Sequence, residues 1–333
     1  MNSRFRAISR RDALLGLGGM GLAAAGLTLA PRAHAQPEKP VRIILPNAPG
    51  SGVDAITRAA QPALAKALNA SVVVENQAGA GGVIGLQSLA RSAPDGLTLS
   101  VVSNNVVIFP SVLKSLPFDM PGDFTPIAVI GATPMVLVAN PARVPATSHK
   151  EFVALLKSKP NGLNFGSGGS GTILHLAAEL YLDAAGATAH HIPYKGVGPM
   201  VTDLMGGQID FAVAALPSVQ GQIKGGSLRA IGMLTAQRTP AAPEIPTFAE
   251  QGLANFSVDA WFGVLGPKGM SVASVAKAHD ALAAAFDDPA VKDAMAKQGN
   301  TIHVTSTAQA QAMFRSELTK YAALVKKVGL EPQ

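Results

Sequence analysis

From residue 41 onward, short runs of β-branched residues alternate with longer stretches rich in alanine and leucine, and no other feature restricts the fold as strongly. The runs are "VRIIL" (41–45), "SVVVE" (71–75), "LTLSVVS" (97–103), "MVLVA" (135–139), "LNFG" (163–166), "DFAVA" (210–214), "LRAIGML" (228–234) and "WFGVLG" (261–266). Between and after them lie helical patterns over 54–68, 83–91, 148–158, 172–184, 199–205, 271–286, 289–297 and 307–327. Strand-length and helix-length segments in alternation predict α/β units with largely parallel sheets. Pro62, inside the first helical pattern, lacks the N–H that an interior position donates, which predicts a kink or a later helix start.

Two stretches break the rhythm. "NPARVPATS" (140–148) and "TPAAPEIPTFAEQG" (239–252) carry prolines and no periodicity, and they enclose a block with its own βαβ pattern. Two crossings between two α/β lobes describe a cleft protein. The expected division is a first lobe of 36–140 plus 253–333 and a second lobe of 141–252. Ligands of such folds bind beyond the carboxyl ends of the parallel strands, which singles out the loops 46–53, 103–109, 166–172 and 193–198.

The first 35 residues read as an export address. "SRRDALL" (9–15) sets paired arginines before an apolar stretch, and "AHA" (33–35) offers a small-residue cleavage site. This predicts a twin-arginine signal, with Gln36 the first mature residue. Gly16, Gly18, Gly19 and Gly21 dilute the stretch, which argues against a membrane anchor. Taking its five arginines and one aspartate from the chain's 27 basic and 21 acidic residues leaves 22 and 20, a net charge of +2. The basic balance therefore belongs to the leader and does not indicate a nucleic-acid partner. Aromatic content of 5% also leaves few platforms on which bases stack. With no cysteine, disulfides, thiol chemistry and a cysteine lipid anchor are excluded. No later segment has the ~18 uninterrupted apolar residues of a membrane span. The mature chain is expected in the periplasm, without stable membrane insertion.

Three glycine-rich turns follow strands and open helices. "PNAPGSGVD" (46–54) and "GSGGSGT" (166–172) aim backbone N–H groups and the hydroxyls of Ser51, Ser170 and Thr172 at whatever lies between the lobes. N–H groups freed at a helix start make an anion site, here one that suits a small carboxylate held by neutral donors. Asp54 is expected to stabilise its turn and helix start rather than to touch ligand. "AGAGGVIG" (78–85) resembles a dinucleotide turn, but Ile84 stands where a third glycine belongs, so a tight turn with close helix packing is expected and no cofactor.

Catalytic and metal constellations are poorly represented. Ser170 is followed by Gly171 and Thr172 where a nucleophile elbow needs a glycine at the second position. His190 and His191 are adjacent, so on a strand their side chains diverge and cannot easily share a metal. His175 is expected to pack or cap, and Trp261 to sit either in the core or in a cleft wall. No metal ligand set of known spacing appears.

The blocks "PNAPGSGVD", "VVVENQAGAGGVIG", "APDGLTL", "GSGGSGTILHLAAELY", "IPYKGVGPMVTDLMGGQIDFAVAALPS" and "GSLRAIGMLTAQR" are similar, in order and spacing, to those of the periplasmic solute receptors of the tripartite tricarboxylate transporter family, the Bug receptors. The resemblance runs from about Lys39 to Leu330. It implies a type II periplasmic-binding-protein fold, two α/β lobes closing on a ligand. It also implies delivery of a small organic carboxylate to a permease of one large and one small integral subunit. Carried over by position, the first-lobe contacts are Asn47, Ala48, Gly50, Ser51 and Gly52 with Ser103, Asn104 and Asn105. Those of the second lobe are Gly169, Ser170, Gly171 and Thr172, then Tyr194, Lys195 and Gly196, and Ala214. The chain departs from the family pattern at Asn47, where an aromatic is usual, at Ser51, a glycine in others, and at Ala214 and Ala215, where many have Asp-Asn. Loss of that carboxylate disfavours an ammonium-bearing ligand and points to a non-amino organic acid, a dicarboxylate or an aromatic carboxylate. A receptor that presents its loaded cleft to a membrane sensor is the alternative, and a secreted hydrolase using Ser170 a more distant one.

Overall fold

A computed structural model describes residues 39–332; the expected signal peptide, its cleavage site and the first mature residues lie outside them. In chain order the elements are β1 (Val41–Leu45), α1 (Gly52–Leu68), β2 (Val72–Asn76), α2 (Val83–Ala90), β3 (Thr98–Ser103), α3 (Asn105–Val112), β4 (Phe124–Thr133) and β5 (Met135–Ala139). There follow α4 (His149–Ser158), β6 (Asn164–Ser167), α5 (Ile173–Ala185), β7 (His190–Pro193), α6 (Val197–Met205), β8 (Phe211–Ala215), α7 (Leu216–Lys224) and β9 (Arg229–Met233). The chain closes with β10 (Ala260–Pro267), α8 (Val272–Asp287), α9 (Pro289–Lys297), β11 (Thr301–Ile302) and α10 (Thr307–Lys327).

The strands form two sheets, in the orders β11-β4-β10-β3-β1-β2 and β7-β6-β8-β5-β9. The expectation of largely parallel sheets holds only for β1 with β2 and β3, and for β6 with β7 and β8. β10 runs antiparallel to β3 and β4, and β5 antiparallel to β8 and β9. Both β5 and β10 enter their sheet from the other lobe, and that direction of entry sets them against the βαβ strands. The first crossing occurs at Pro134, between β4 and β5, so β5 belongs to the second sheet and the expected division at residue 140 falls after it. The return crossing leads into β10, where Ala260 pairs with Thr133.

Local sequence accounts for most elements. α1 is N-capped by Ser51, ends on a left-handed Asn69, and buries Val53, Ile56, Ala60, Leu64 and Leu68 at helical spacing. Each of the valine, isoleucine and leucine side chains among them, fully buried, contributes about 1.5–3 kcal/mol. Pro62 neither delays nor interrupts α1; it sits on the helix's exposed face. Helix α10 starts with a Ser306/Gln309 capping box, as the 307–327 pattern predicts. β4 and α3 have weaker signatures. Pro126 and Gly131 interrupt β4, with register shifts in its pairing to β10, and the apolar "NVVIFPSV" of α3 lacks amphipathic contrast. Returning to the first lobe, α8 packs on α1 and α10 on α3 and β4. One apolar cluster extends over both sheets, joining Ile44, Val102 and Phe109 to Phe165, Tyr181 and Trp261. Trp261 lies in that core, its indole N–H donating to Glu317 Oε2 at 2.9 Å.

Candidate functional site

The carboxyl ends of β1, β3, β6 and β7 open toward one cavity of about 540 Å³, and the helices that follow these strands begin at its wall. The start of α1 brings Ser51, Gly52 and Val53, and α3 brings Asn105. The starts of α5 and α6 bring Thr172, Ile173 and Leu174, and Gly196 and Val197. Four helix N-termini therefore converge, each with backbone N–H groups that lack a partner within its own helix. Among the described residues the N–H groups of Gly52, Val53, Ser170 and Leu174 find no acceptor. Among the described residues no carboxylate side chain lines the cavity, and Lys195 is the only cationic one. Lys195 forms no ion pair with another described residue. This arrangement is electrostatically positive without a guanidinium clamp.

Each donor loop is held by hydrogen bonds beneath it. Asp54, buried in the first turn of α1, accepts from the Gly50 N–H (3.0 Å), Asn76 Nδ2 (3.0 Å) and Arg58 Nε (2.8 Å). Burial alone would raise its pKa, but these three donors together hold the carboxyl below the usual range. The Asn76 amide also donates to the Asn47 carbonyl at 3.1 Å, so one buried carboxylate and its neighbour tie down residues 47–50. In the loop after β6, Ser167 Oγ accepts from the Gly169 N–H (3.2 Å), and Thr172 Oγ1 donates to the Gly169 carbonyl (2.8 Å). The Gly171 N–H donates to His175 Nδ1 at 3.1 Å. His175 stacks on His191 with ring centroids 3.7 Å apart, and His191 Nε2 lies 2.7 Å from Ser167 Oγ. Burial, then the neighbouring His175 and His190, pushes the His191 imidazole down to about 3, so it is neutral. The two imidazoles form a platform under the loop; neither hydrogen-bonds Ser170.

The lobes meet directly around the cavity. The Ile173 N–H, at the first position of α5, donates to Asn105 Oδ1 across the cleft at 2.7 Å. Ser218 Oγ donates to the Gly50 carbonyl at 3.2 Å. Gly196, at φ +124°, approaches so closely that a Cβ there would stand 2.8 Å from the Ala48 Cβ. Tyr194 donates to Asp203 Oδ2 at 2.9 Å, and burial with that carboxylate pushes the phenol up to about 12.

Of the residues expected at the site, Asn47, Ala48, Ser51, Gly52, Ser103 and Asn105 line the cavity from the first lobe. Gly169, Ser170, Thr172, Tyr194, Lys195 and Gly196 do so from the second. Four do not. Asn104 is fully buried on the far side of β3, with Nδ2 donating to the Tyr321 hydroxyl (2.6 Å) and the Asp259 carbonyl (3.0 Å). Ala214 points into the second-lobe core, and strand alternation turns Ala215 to the cavity instead. The N–H of Gly50 is occupied by Asp54, and that of Gly171 by His175. The walls also include Gly81, Thr133, Met135, Ala215, Ala260 and Phe262. Of these Gly81 carried a local signal, the close-approach turn at 78–85, and Ala215 stands, with Ala214, as a departure from the family pattern. Asn47 Oδ1 and Thr133 Oγ1, buried atoms of two lining residues, have no hydrogen-bond partner among the described residues.

Two lobes closing on a positively polarised cavity at the carboxyl ends of their strands define a solute-binding protein. Residues 56–330 match the model of the tripartite tricarboxylate transporter family receptors. The chain belongs to that family. It is 34% identical over 318 residues to protein BugT of Bordetella pertussis, covering 95% of this chain and 97% of BugT. The solved structure of the periplasmic binding protein BugD superimposes with a TM-score of 0.84 at 31% identity, covering 89% of this chain and all of that one. MatC of Rhodopseudomonas palustris with bound malate gives 0.79 at 28% identity, covering 87% and 99%.

Among the described residues no helix is long and apolar enough to cross a membrane, and no group of three His, Asp or Glu side chains is placed to hold a metal ion.

Proposed function

We propose that this chain is a periplasmic receptor that captures a small organic carboxylate between its lobes and delivers it to a two-subunit membrane permease. The observation that carries the reading is the convergence of unpaired helix N-terminal N–H groups on a cavity with no acidic side chain. Fixed backbone donors suit a carboxylate, and the malate bound by the related MatC is one. The contacts assigned to the ligand are the free N–H groups of Gly52, Val53, Ser170 and Leu174 and the hydroxyls of Ser51 and Ser170, with Lys195 at the rim. Closure brings Asn105 to Ile173 and completes the enclosure. Family membership supports the delivery step.

Thermal denaturation of the signal-free protein against a panel of organic acids tests the binding step. Ligand that binds only the folded state raises its stability by RT ln(1 + [L]/Kd). A concentration-dependent rise without turnover is expected. A folded, ligand-free preparation unmoved by any acid would refute the reading. Reconstitution with the permease in vesicles, with uptake dependent on the receptor, tests the delivery step.

A further inference from the structure

The residue placed to cap α3 does not cap it. Asn104 directly precedes the helix, and asparagine is among the residues that most often satisfy a first-turn N–H with their side chain. Here the side chain makes no such bond. Its amide is turned instead to the Tyr321 hydroxyl and the Asp259 carbonyl, with Nδ2 at 2.6 Å and 3.0 Å. That carbonyl can only accept, so it fixes the amide with Nδ2 toward both partners. Asn104 and Tyr321 are both buried.

Both partners belong to the part of the chain that returns to the first lobe. Asp259 directly precedes β10. Tyr321 lies on α10 one turn after Glu317, which accepts from the Trp261 indole on β10. Helix α10 is thereby registered against β10, and Tyr321 carries that register to the start of α3. The next residue, Asn105, is the one whose Oδ1 takes the Ile173 N–H of the second lobe at 2.7 Å. With no side-chain cap of its own, and with Pro110 lacking an N–H inside it, α3 has few local means of fixing its first turn. The position of the cross-cleft acceptor therefore depends on a bond from Asn104 to a residue 217 positions away.

We propose that Tyr321, which lines no part of the ligand cavity, is a positioning residue for ligand capture: through Asn104 it places Asn105 where closure meets Ile173. This inference rests on the receptor reading and deepens it. The C-terminal helix thus acts on the cleft, beyond completing the core of the first lobe.

The test is Tyr321→Phe in the signal-free protein, which keeps the ring and removes the acceptor of one Asn104 N–H. Without ligand, hydrogen exchange at the Ile173 amide should quicken at least about fivefold. Amides of β8, central in the second sheet, report global opening and should quicken less. A merely structural loss would speed both alike. Combined with Asn105→Leu, Tyr321→Phe should add nothing further at Ile173, because the acceptor it positions is already gone. Calorimetric titration with malate and with adipate should show binding weakened by a similar factor. Asn104→Ala breaks the same bond from its other side and should reproduce these effects, so the test stands even if the phenylalanine variant does not fold. Ile173 exchange unchanged relative to β8, full additivity with Asn105→Leu, or undiminished acid binding would overturn the inference. A folded wild type that binds neither acid nor any of the wider panel would overturn the carboxylate reading instead, and the exchange measurements would still decide the role of Tyr321.

Discussion

Asn105 offers a direct test of how closure is held. Its Oδ1 accepts the Ile173 N–H at 2.7 Å in a buried setting, linking the start of α3 to the start of α5. At the first position of a helix that N–H has no intrahelical acceptor. Replacing Asn105 with leucine keeps the approximate size but leaves the N–H unsatisfied in the closed form, which costs about 1–3 kcal/mol. The bond spans the lobes, so the cost falls on closure. Hydrogen exchange at the Ile173 amide in the ligand-free protein should then quicken by about 5- to 150-fold. Affinity for any acid bound in the closed cleft should weaken by a similar factor. Asn105→Asp retains an acceptor and should keep the amide protected, yet weaken anion binding by adding a negative charge to the wall. Equal Ile173 exchange in the wild type and the leucine variant, or unchanged affinity in the latter, would refute this account of closure.

Other perturbations give separate readouts. The unfolded chain protonates residue 191 near 6.5, whereas the folded chain does so only at about 3. Unfolding therefore takes up a proton across that window, and stability should fall as pH drops through it, by up to about 1.4 kcal/mol per pH unit. Urea denaturation between pH 4 and 7 should show this slope in the wild type and a shallower one in His191→Gln. Asp54→Ala removes the acceptor shared by Gly50, Asn76 and Arg58. It should cost about 1–3 kcal/mol by urea denaturation and quicken exchange at the Gly50 amide. Gly196→Ala combines a strained φ with a contact against Ala48. Strain of about 1–3 kcal/mol should appear as weaker acid binding in calorimetry, with a smaller change in the unliganded melting temperature.

Individual residues show what was legible and why. The glycine turns could be read because they use local chemistry, a free N–H and a backbone without a Cβ, whereas the hydroxyls of Ser51 and Thr172, expected to face ligand, also cap α1 and α5. The Pro134 crossing could not, because residues 135–139 form the same apolar run in either sheet and only pairing with β8 and β9 assigns them. Asn104 and Asn105 are equivalent as letters. Which one faces the cleft depends on where β3 ends relative to β10 and α10.

By itself, then, the sequence determined the α/β class, the C-terminal return to the first lobe and the two glycine-rich loops that open helices at the cavity wall. Periodicity, caps and turns act over a few residues and are carried by the residues themselves. Only the tertiary structure decided the mixed strand directions, the stacked histidines under the second loop and the Asn105–Ile173 bond. Those features arise from strand order and lobe approach, which join residues far apart in the chain and leave no mark at either position alone.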